Sequence, residues 1–142
     1  MLLRFKKVNS NVISPSFGTL RSSGLDIYTN KKIIIWPLGS YLYPSGIKFD
    51  IPTGYDLDVN NKSGVCTKKK IIVGANLIDE DYIGEVHIHL FNLSWKFIKF
   101  NPGDKLAQLV MRPVAHPRLI EVSEINKHTE RGEKGFGSTD KK

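Results

Sequence analysis

Three carboxylates stand side by side at Asp79, Glu80 and Asp81, directly ahead of Tyr82 and Gly84. A cluster of this kind can bind a hard cation through oxygen, or place one carboxylate to take a proton from water. Taken alone, it reads first as a solvated acidic turn. Asp26, in the string Ser23-Gly24-Leu25-Asp26-Ile27, is a second isolated carboxylate that either serves a ligand or closes a turn. Lys62-Ser63-Gly64 sets an ammonium, a hydroxyl and an unhindered backbone N–H in succession. These donors suit phosphate oxygens. Phe136, flanked by Gly135 and Gly137, is the one large aromatic in a polar terminal stretch. Such a segment orders when a ligand supplies the surface it lacks.

The elements that must position these residues read as strands. Alternating or β-branched segments recur at 2–8, 25–28, 32–36, 41–49, 55–59, 70–73, 85–91, 96–100 and 105–112. Turn signals Pro44-Ser45-Gly46, Pro52-Thr53-Gly54 and Asn101-Pro102-Gly103 fall between strands. Only 63–69 and 122–128 have room for a helical turn, and neither carries a long apolar stripe. The pattern predicts an all-β sandwich or barrel over residues 1–129, followed by a glycine-rich tail over 130–142.

At 142 residues, 40% apolar and 25% charged, the chain has the size and composition of one soluble domain. No apolar run approaches the roughly 18 residues of a membrane helix, and the N-terminal residues alternate instead of forming a signal-peptide block, so a cytosolic location is expected. One cysteine, Cys66, excludes an internal disulfide and any cysteine-cluster metal site; a small buried thiol is its expected state. The net charge of +7 favours anionic ligands without choosing among nucleotide, nucleic acid and acidic lipid. Lysine runs at 31–32, 68–70 and 141–142 read first as solvated loops or ends. His87 and His89 share one strand face, a spacing that can chelate a transition metal, but no third ligand accompanies them. Trp36 and Trp95 are expected as core or interface anchors.

Five strings in order, 23–27, 62–64, 77–85, 103–110 and 131–139, resemble the five motifs of the trimeric dUTPase family. Each is short enough to arise by chance, and their common order is what carries the resemblance. It implies a distorted jelly-roll or β-barrel with a flexible C-terminal arm, and hydrolysis of dUTP to dUMP and pyrophosphate with Mg²⁺ as cofactor. Asp79 would then orient and deprotonate the water that attacks the α-phosphorus. Lys62, Ser63, Gly64, Gln108 and Arg131 would hold phosphates, and Asp26 would act on the metal through water. Uracil would be read by main chain around Asn76 to Ile78 and Tyr82 to Gly84. Tyr82 would pack beneath the deoxyribose and leave a 2′-hydroxyl no room, and Phe136, with Gly137 and Ser138, would close over the base. Sites shared between three chains of a homotrimer are implied as well; no membrane or nucleic acid is required.

Three positions depart from that family. Lys62 replaces the usual arginine and lacks its bidentate fork. Asn76 stands where glycine is common and is expected to tolerate a positive φ. Asp140 adds a negative charge near the expected γ-phosphate contacts. A dCTP deaminase of the same fold is the nearest alternative, but the position of its catalytic glutamate falls on His89. A regulator or nucleic-acid binder on a dUTPase scaffold is another, set against the joint presence of Asp79, Tyr82, Gln108, Arg131 and Phe136.

Overall fold

Alternating and β-branched segments fold as strands in the computed structural model, which describes residues 1–125 together with Thr129, Gly132 and Glu133. In chain order the elements are β1 (Arg4–Lys7), β2 (Ser16–Phe17), β3 (Leu25–Tyr28), β4 (Ile33–Ile35), β5 (Ser40–Pro44), β6 (Ile47–Asp50) and β7 (Tyr55–Asn60). There follow α1 (Ser63–Lys69), β8 (Ile71–Gly74), β9 (Leu77–Ile78), β10 (His87–Asn92), β11 (Ile98–Phe100) and β12 (Lys105–Pro113). All pairings are antiparallel. They make a five-stranded sheet, β2-β3-β12-β7-β9, a three-stranded sheet, β5-β10-β8, and the two ribbons β1-β6 and β11-β4. The all-β expectation therefore holds, with jelly-roll-like sheets that stay separate instead of closing into one continuous barrel among the described residues.

Period-2 patterning sets the faces. In β10, Ile88, Leu90 and Asn92 point inward while His87, His89 and Phe91 face out. Ile27, Ile35, Tyr43, Ile47, Leu57, Ile71, Phe100 and Leu109 complete a core with almost no exposure. Each large apolar side chain removed from water stabilises the fold by about 1.5–3 kcal/mol before entropy is counted. All three expected turns are closed by glycines of positive φ, Gly46 (73°), Gly54 (82°) and Gly103 (89°), a backbone region that only glycine enters freely.

The short strands β2 and β9 carry too few residues for the alternation to reveal, and the segment 41–49 divides at its Pro-Ser-Gly turn into β5 and β6. α1 forms over 63–69 as expected, ended by Lys70 in the left-handed conformation. The second helical turn does not form at 122–125, and 126–128 lie outside the described residues. Cys66 is half-buried instead of fully buried. Trp36 and Trp95 are 69% and 83% exposed, so neither is a core anchor.

Candidate active site

Residue 79 emerges from the edge of the five-stranded sheet. β9 pairs with β7 through Leu57↔Ile78 and Asp58↔Leu77, and nothing else in the sheet borders its far side. That side is an edge carrying main-chain donors and acceptors. The positive φ of this hairpin falls on Ala75 (50°), not on Asn76 as expected. Asn76 instead donates its side-chain amide to Asp58 Oδ1 at 3.0 Å, and its carbonyl accepts from Val59 N–H at 2.7 Å. Its role is to fasten the hairpin. Asp58 also accepts from Asn60 Nδ2 (2.7 Å) and lies 3.3 Å from Arg112, which grips Asp56 through Nε (3.1 Å) and Nη2 (2.9 Å). A two-point guanidinium–carboxylate contact fixes direction as well as distance.

Of the three carboxylates, Glu80 is engaged, while Asp79 and Asp81 are exposed without a side-chain partner among the described residues. Glu80 accepts from the Gly54 N–H and lies 3.5 Å from His116, so it is spent on structure. Asp79 is exposed, and among the described residues its carboxylate has no hydrogen-bond or ion-pair partner. It lines a recess of about 340 Å³ with Tyr55, Asp56, Leu77, Glu80 and Asp81. The Asp79 carbonyl accepts from Tyr82 N–H at 3.1 Å, closing a turn that brings the Tyr82 ring back over Gly84. Tyr82 Oη donates to the Glu85 carbonyl at 2.8 Å. A Cβ on residue 84 would sit 2.5 Å from the Tyr82 ring and hydroxyl, which is the physical reason for glycine two positions after the tyrosine. Ile78 is buried, leaving only its main chain for a ligand.

A second polar group crosses the same sheet further along. Asp26, Gln108 and Asn60 are directly opposite one another on β3, β12 and β7, hence on one face. A register shift between Lys105 and Ala107 sets Lys105 opposite Tyr28, two residues from Asp26 and on the same face. Without that extra residue Lys105 would oppose Thr29 and point the other way, a re-aiming typical of a bulge. Lys105 Nζ lies 2.7 Å from Asp26 Oδ2, and Lys62 Nζ, from the residue capping α1, lies 2.8 Å from Oδ1. Both oxygens are sealed from solvent and neither meets its ammonium at hydrogen-bonding angles. Burial pushes the Asp26 carboxyl up, but the two ammoniums outweigh it and hold it below the ordinary value of 3.8. The same contact with Asp26 raises the Lys105 ammonium.

Gln108 donates through Nε2 to the Asn61 carbonyl at 2.9 Å. It lies so close over Gly24 that any Cβ there would collide with its amide. Ser63 and Gly64 open α1 at the surface, and the space above Gly64 is empty. Lys105, Gly24 and Asn61 were not among the expected site residues. Lys105 and Gly24 lie inside the recognised strings, but the bulge and the Gly24–Gln108 contact that give them meaning are tertiary.

The sequence-selected residues thus form two groups. Lys62, Ser63, Gly64, Asp26 and Gln108 gather at one end and Ile78, Asp79 and Tyr82 at the other, with Asn76 between them beside Asp58 and Val59. Continuing the β7–β9 register sets Asp79 opposite Asp56, four residues along β7 from Asn60. At the rise of a strand this is about 13 Å, before the sideways displacement is added. Arg131, Phe136, Gly137, Ser138 and Asp140 lie outside the described residues.

The chemistry of the donors also tests a resident metal. No three His, Cys, Asp or Glu side chains among the described residues are placed to hold an ion. Asp26 reaches no water while both lysines face it, so the expected water-mediated metal contact does not fit this arrangement. His87 and His89 likewise gain no third ligand among the described residues.

An all-β scaffold with an open carboxylate beside a backbone edge and a separate row of phosphate-type donors defines a protein built to handle a small anionic ligand. The dUTPase family profile matches residues 10–140. Deoxyuridine 5'-triphosphate nucleotidohydrolases are similar over nearly the whole chain. The protein of that name from Oryza sativa is 36% identical, covering 97% of this chain and 80% of its own. That of Nautilia profundicola is 36% identical, covering 99% and 100%. The human mitochondrial one is 36% identical over 99% of this chain, which spans 56% of its length. Among solved structures, a mutant dUTPase of Staphylococcus bacteriophage 80alpha with dUpNHpp superposes with a TM-score of 0.88 at 25% identity, over 96% of this chain and 97% of that one. A phage phi11 dUTPase mutant, described as revealing the coordination of a structural Mg(II) ion, shares the fold with a TM-score of 0.79 at 23% identity, over 87% and 98%. The chain belongs to the dUTPase family.

Proposed function

We propose that this protein hydrolyses dUTP to dUMP and pyrophosphate, keeping uracil out of DNA and supplying dUMP for thymidylate synthesis. The observation that carries the reading is Asp79, exposed and with its carboxylate unpartnered among the described residues, lining a recess directly after the β9 edge that a clamped hairpin holds. Asp79 takes a proton from a water molecule as the water oxygen attacks the α-phosphorus. The bond from that phosphorus to the oxygen bridging to the β-phosphate breaks, and pyrophosphate leaves in line. The free edge of β9 supplies main-chain groups for uracil. The Tyr82 ring walls the sugar side, where an added hydroxyl would be desolvated and unpaired at a cost of about 1–3 kcal/mol. Ser63, Gly64 and Gln108, with Arg131, face the phosphates, whereas Lys62, expected among them, is paired with Asp26; donors aimed at shifting charge supply much of the acceleration in phosphoryl transfer. Mg²⁺ accompanies the substrate as a counter-ion of its phosphates, in keeping with an ion that binds few carboxylates and sheds water reluctantly.

A separation of about 13 Å between Asp79 and the Gln108 row supports sites assembled from more than one chain, and a homotrimer is the assembly that the family resemblance implies. Residues 1–129 form the β domain in this reading. Residues 130–142 are an arm that lays Phe136, with Gly137 and Ser138, across the base of a neighbouring site. Phe136 stacking contributes about 1–3 kcal/mol. A reducing, cytosolic compartment suits a chain with one cysteine.

The test is pyrophosphate release from dUTP, UTP, dTTP and dCTP, with and without Mg²⁺, for the wild type and Asp79→Asn. Release from dUTP alone, abolished by the substitution in a folded protein, is expected. Ammonia release from dCTP at a comparable rate, or an intact dUTP pool, would overturn the proposal.

A further inference from the structure

Three large aromatics face solvent outside the five-stranded sheet: Trp36 (69% exposed), Trp95 (83%) and Phe97 (59%). They flank the β4-β11 ribbon, with the Trp36 and Phe97 rings 5.0 Å apart and inclined at 62°. Rings meeting edge to face leave ring faces open to a planar partner.

The platform is held from beneath. Asn92, only 1% exposed, donates its amide to the carbonyls of Ile35 (3.3 Å), Trp36 (2.9 Å) and Lys96 (2.7 Å). Its oxygen accepts from the Ser94 N–H (2.9 Å) and hydroxyl (2.7 Å). One buried side chain thus ties the end of β4 to the turn bearing Trp95 and Phe97. Rigid support of exposed rings is what preorganised binding requires, since the ordering entropy is already spent.

The charge around the platform has one sign. No acidic residue occurs between Asp26 and Asp50, between Asp58 and Asp79, or between Glu85 and Asp104, the three stretches that build β4, α1 and β11. Lys69 reaches across to donate to the Lys99 carbonyl at 3.0 Å. Lys99 stands directly opposite Ile34, and Lys96 lies between Trp95 and Phe97 in the chain. Lysines and aromatics therefore interleave along this segment of the chain. A membrane-inserting face would segregate them, because sinking the rings here would drag Lys96 and Lys99 into hydrocarbon. An acidic peptide would match the lysines but leave the indole faces without a planar partner. Interleaved lysines and aromatics match a chain of alternating phosphates and bases.

We propose that Trp36, Trp95 and Phe97, with Lys69, Lys96 and Lys99, form a second binding surface, for single-stranded nucleic acid, independent of the nucleotide site. The phosphates meet the ammoniums and the bases stack on the rings without sequence preference.

The experiment is a titration of the full chain with a short labelled oligothymidylate, followed by anisotropy and tryptophan quenching, with the nucleotide site saturated by a non-hydrolysable dUTP analogue. Binding is expected, weakened roughly tenfold by Trp36→Ala or Trp95→Ala. Affinity should fall with salt at a slope of about −0.7 per phosphate engaged, and Lys99→Ala should flatten that slope. Turnover of dUTP and the mass of the assembly should not change in these variants. The inference fails if the oligonucleotide does not bind at low salt, or binds regardless of the tryptophans. It fails equally if polyglutamate or phosphatidylserine vesicles quench the same rings as strongly, or if the variants change the assembly's mass, which would make the surface a subunit contact.

Discussion

The two ends of the five-stranded sheet handle their carboxylates in opposite ways. At one end Asp26 is wholly buried, its oxygens facing Lys62 and Lys105, so its charge is neutralised inside the chain. At the other, Asp79 is left open while its neighbours Glu80, Asp56 and Asp58 take the available cations and N–H groups. A carboxylate sealed from solvent and held charged between two ammoniums is a poor base and a good strut. The contrast assigns scaffolding to Asp26 and proton transfer to Asp79, although both are aspartates within motif strings.

The largest effect expected from breaking this contrast is on catalysis. Asp79→Asn should lower kcat by at least about 10²–10⁴, the range for losing a positioned general base, with the melting temperature unchanged. A steady kcat would move the proton acceptor elsewhere. Next comes stability at the opposite end. Lys62→Met combined with Lys105→Met should lower the denaturant midpoint well beyond either single substitution, because the Asp26 carboxylate is then buried with no counter-charge.

That pair also sets a pH dependence. The folded Asp26 carboxyl is held below its ordinary value, so its contribution is complete above about pH 4 and is lost as pH falls through the lower folded value. Asp26→Asn should remove this part of the acid transition. The raised Lys105 ammonium works from the alkaline side: its contribution is full below the ordinary 10.5 and lost only as pH rises past the folded value.

Smaller and more selective effects come from the glycines beneath the side chains. Gly84→Ala should push the Tyr82 ring off its seat, lowering the preference for dUTP over UTP by about tenfold, within the 1–3 kcal/mol at stake, with little loss of stability because that ring is 44% exposed. Gly24→Ala should displace Gln108 and break its bond to Asn61, for about 1 kcal/mol of stability and a raised KM. An unchanged substrate preference in the first variant would separate Tyr82 from sugar selection.

Much of this was legible beforehand because strand alternation and motif order are local. β3 at 25–28 and α1 at 63–69 fall where the sequence placed them. The roles inside the motifs were less legible, since they depend on contacts between distant strands. Asp26 reads as a metal-side carboxylate until the bulge brings Lys105 to its face. Asn76 reads as a stand-in for a strained glycine until Ala75 proves to hold the positive φ. Trp36 and Trp95 read as anchors from residue type alone, and only their neighbours show that they face outward.

The proposed shared site joins the open carboxylate of one chain to the donor row of another. Asp79→Asn and Gln108→Ala, each purified as a weakly active or inactive assembly, can be mixed, dissociated and reassembled. In a randomly mixed ring of heterologous contacts about a quarter of the sites would combine an intact Asp79 with an intact Gln108 row. Recovery of dUTP hydrolysis to about that fraction of wild type is the predicted result. No recovery, from reassembled mixtures of the correct mass, would contradict the claim and return the whole site to a single chain.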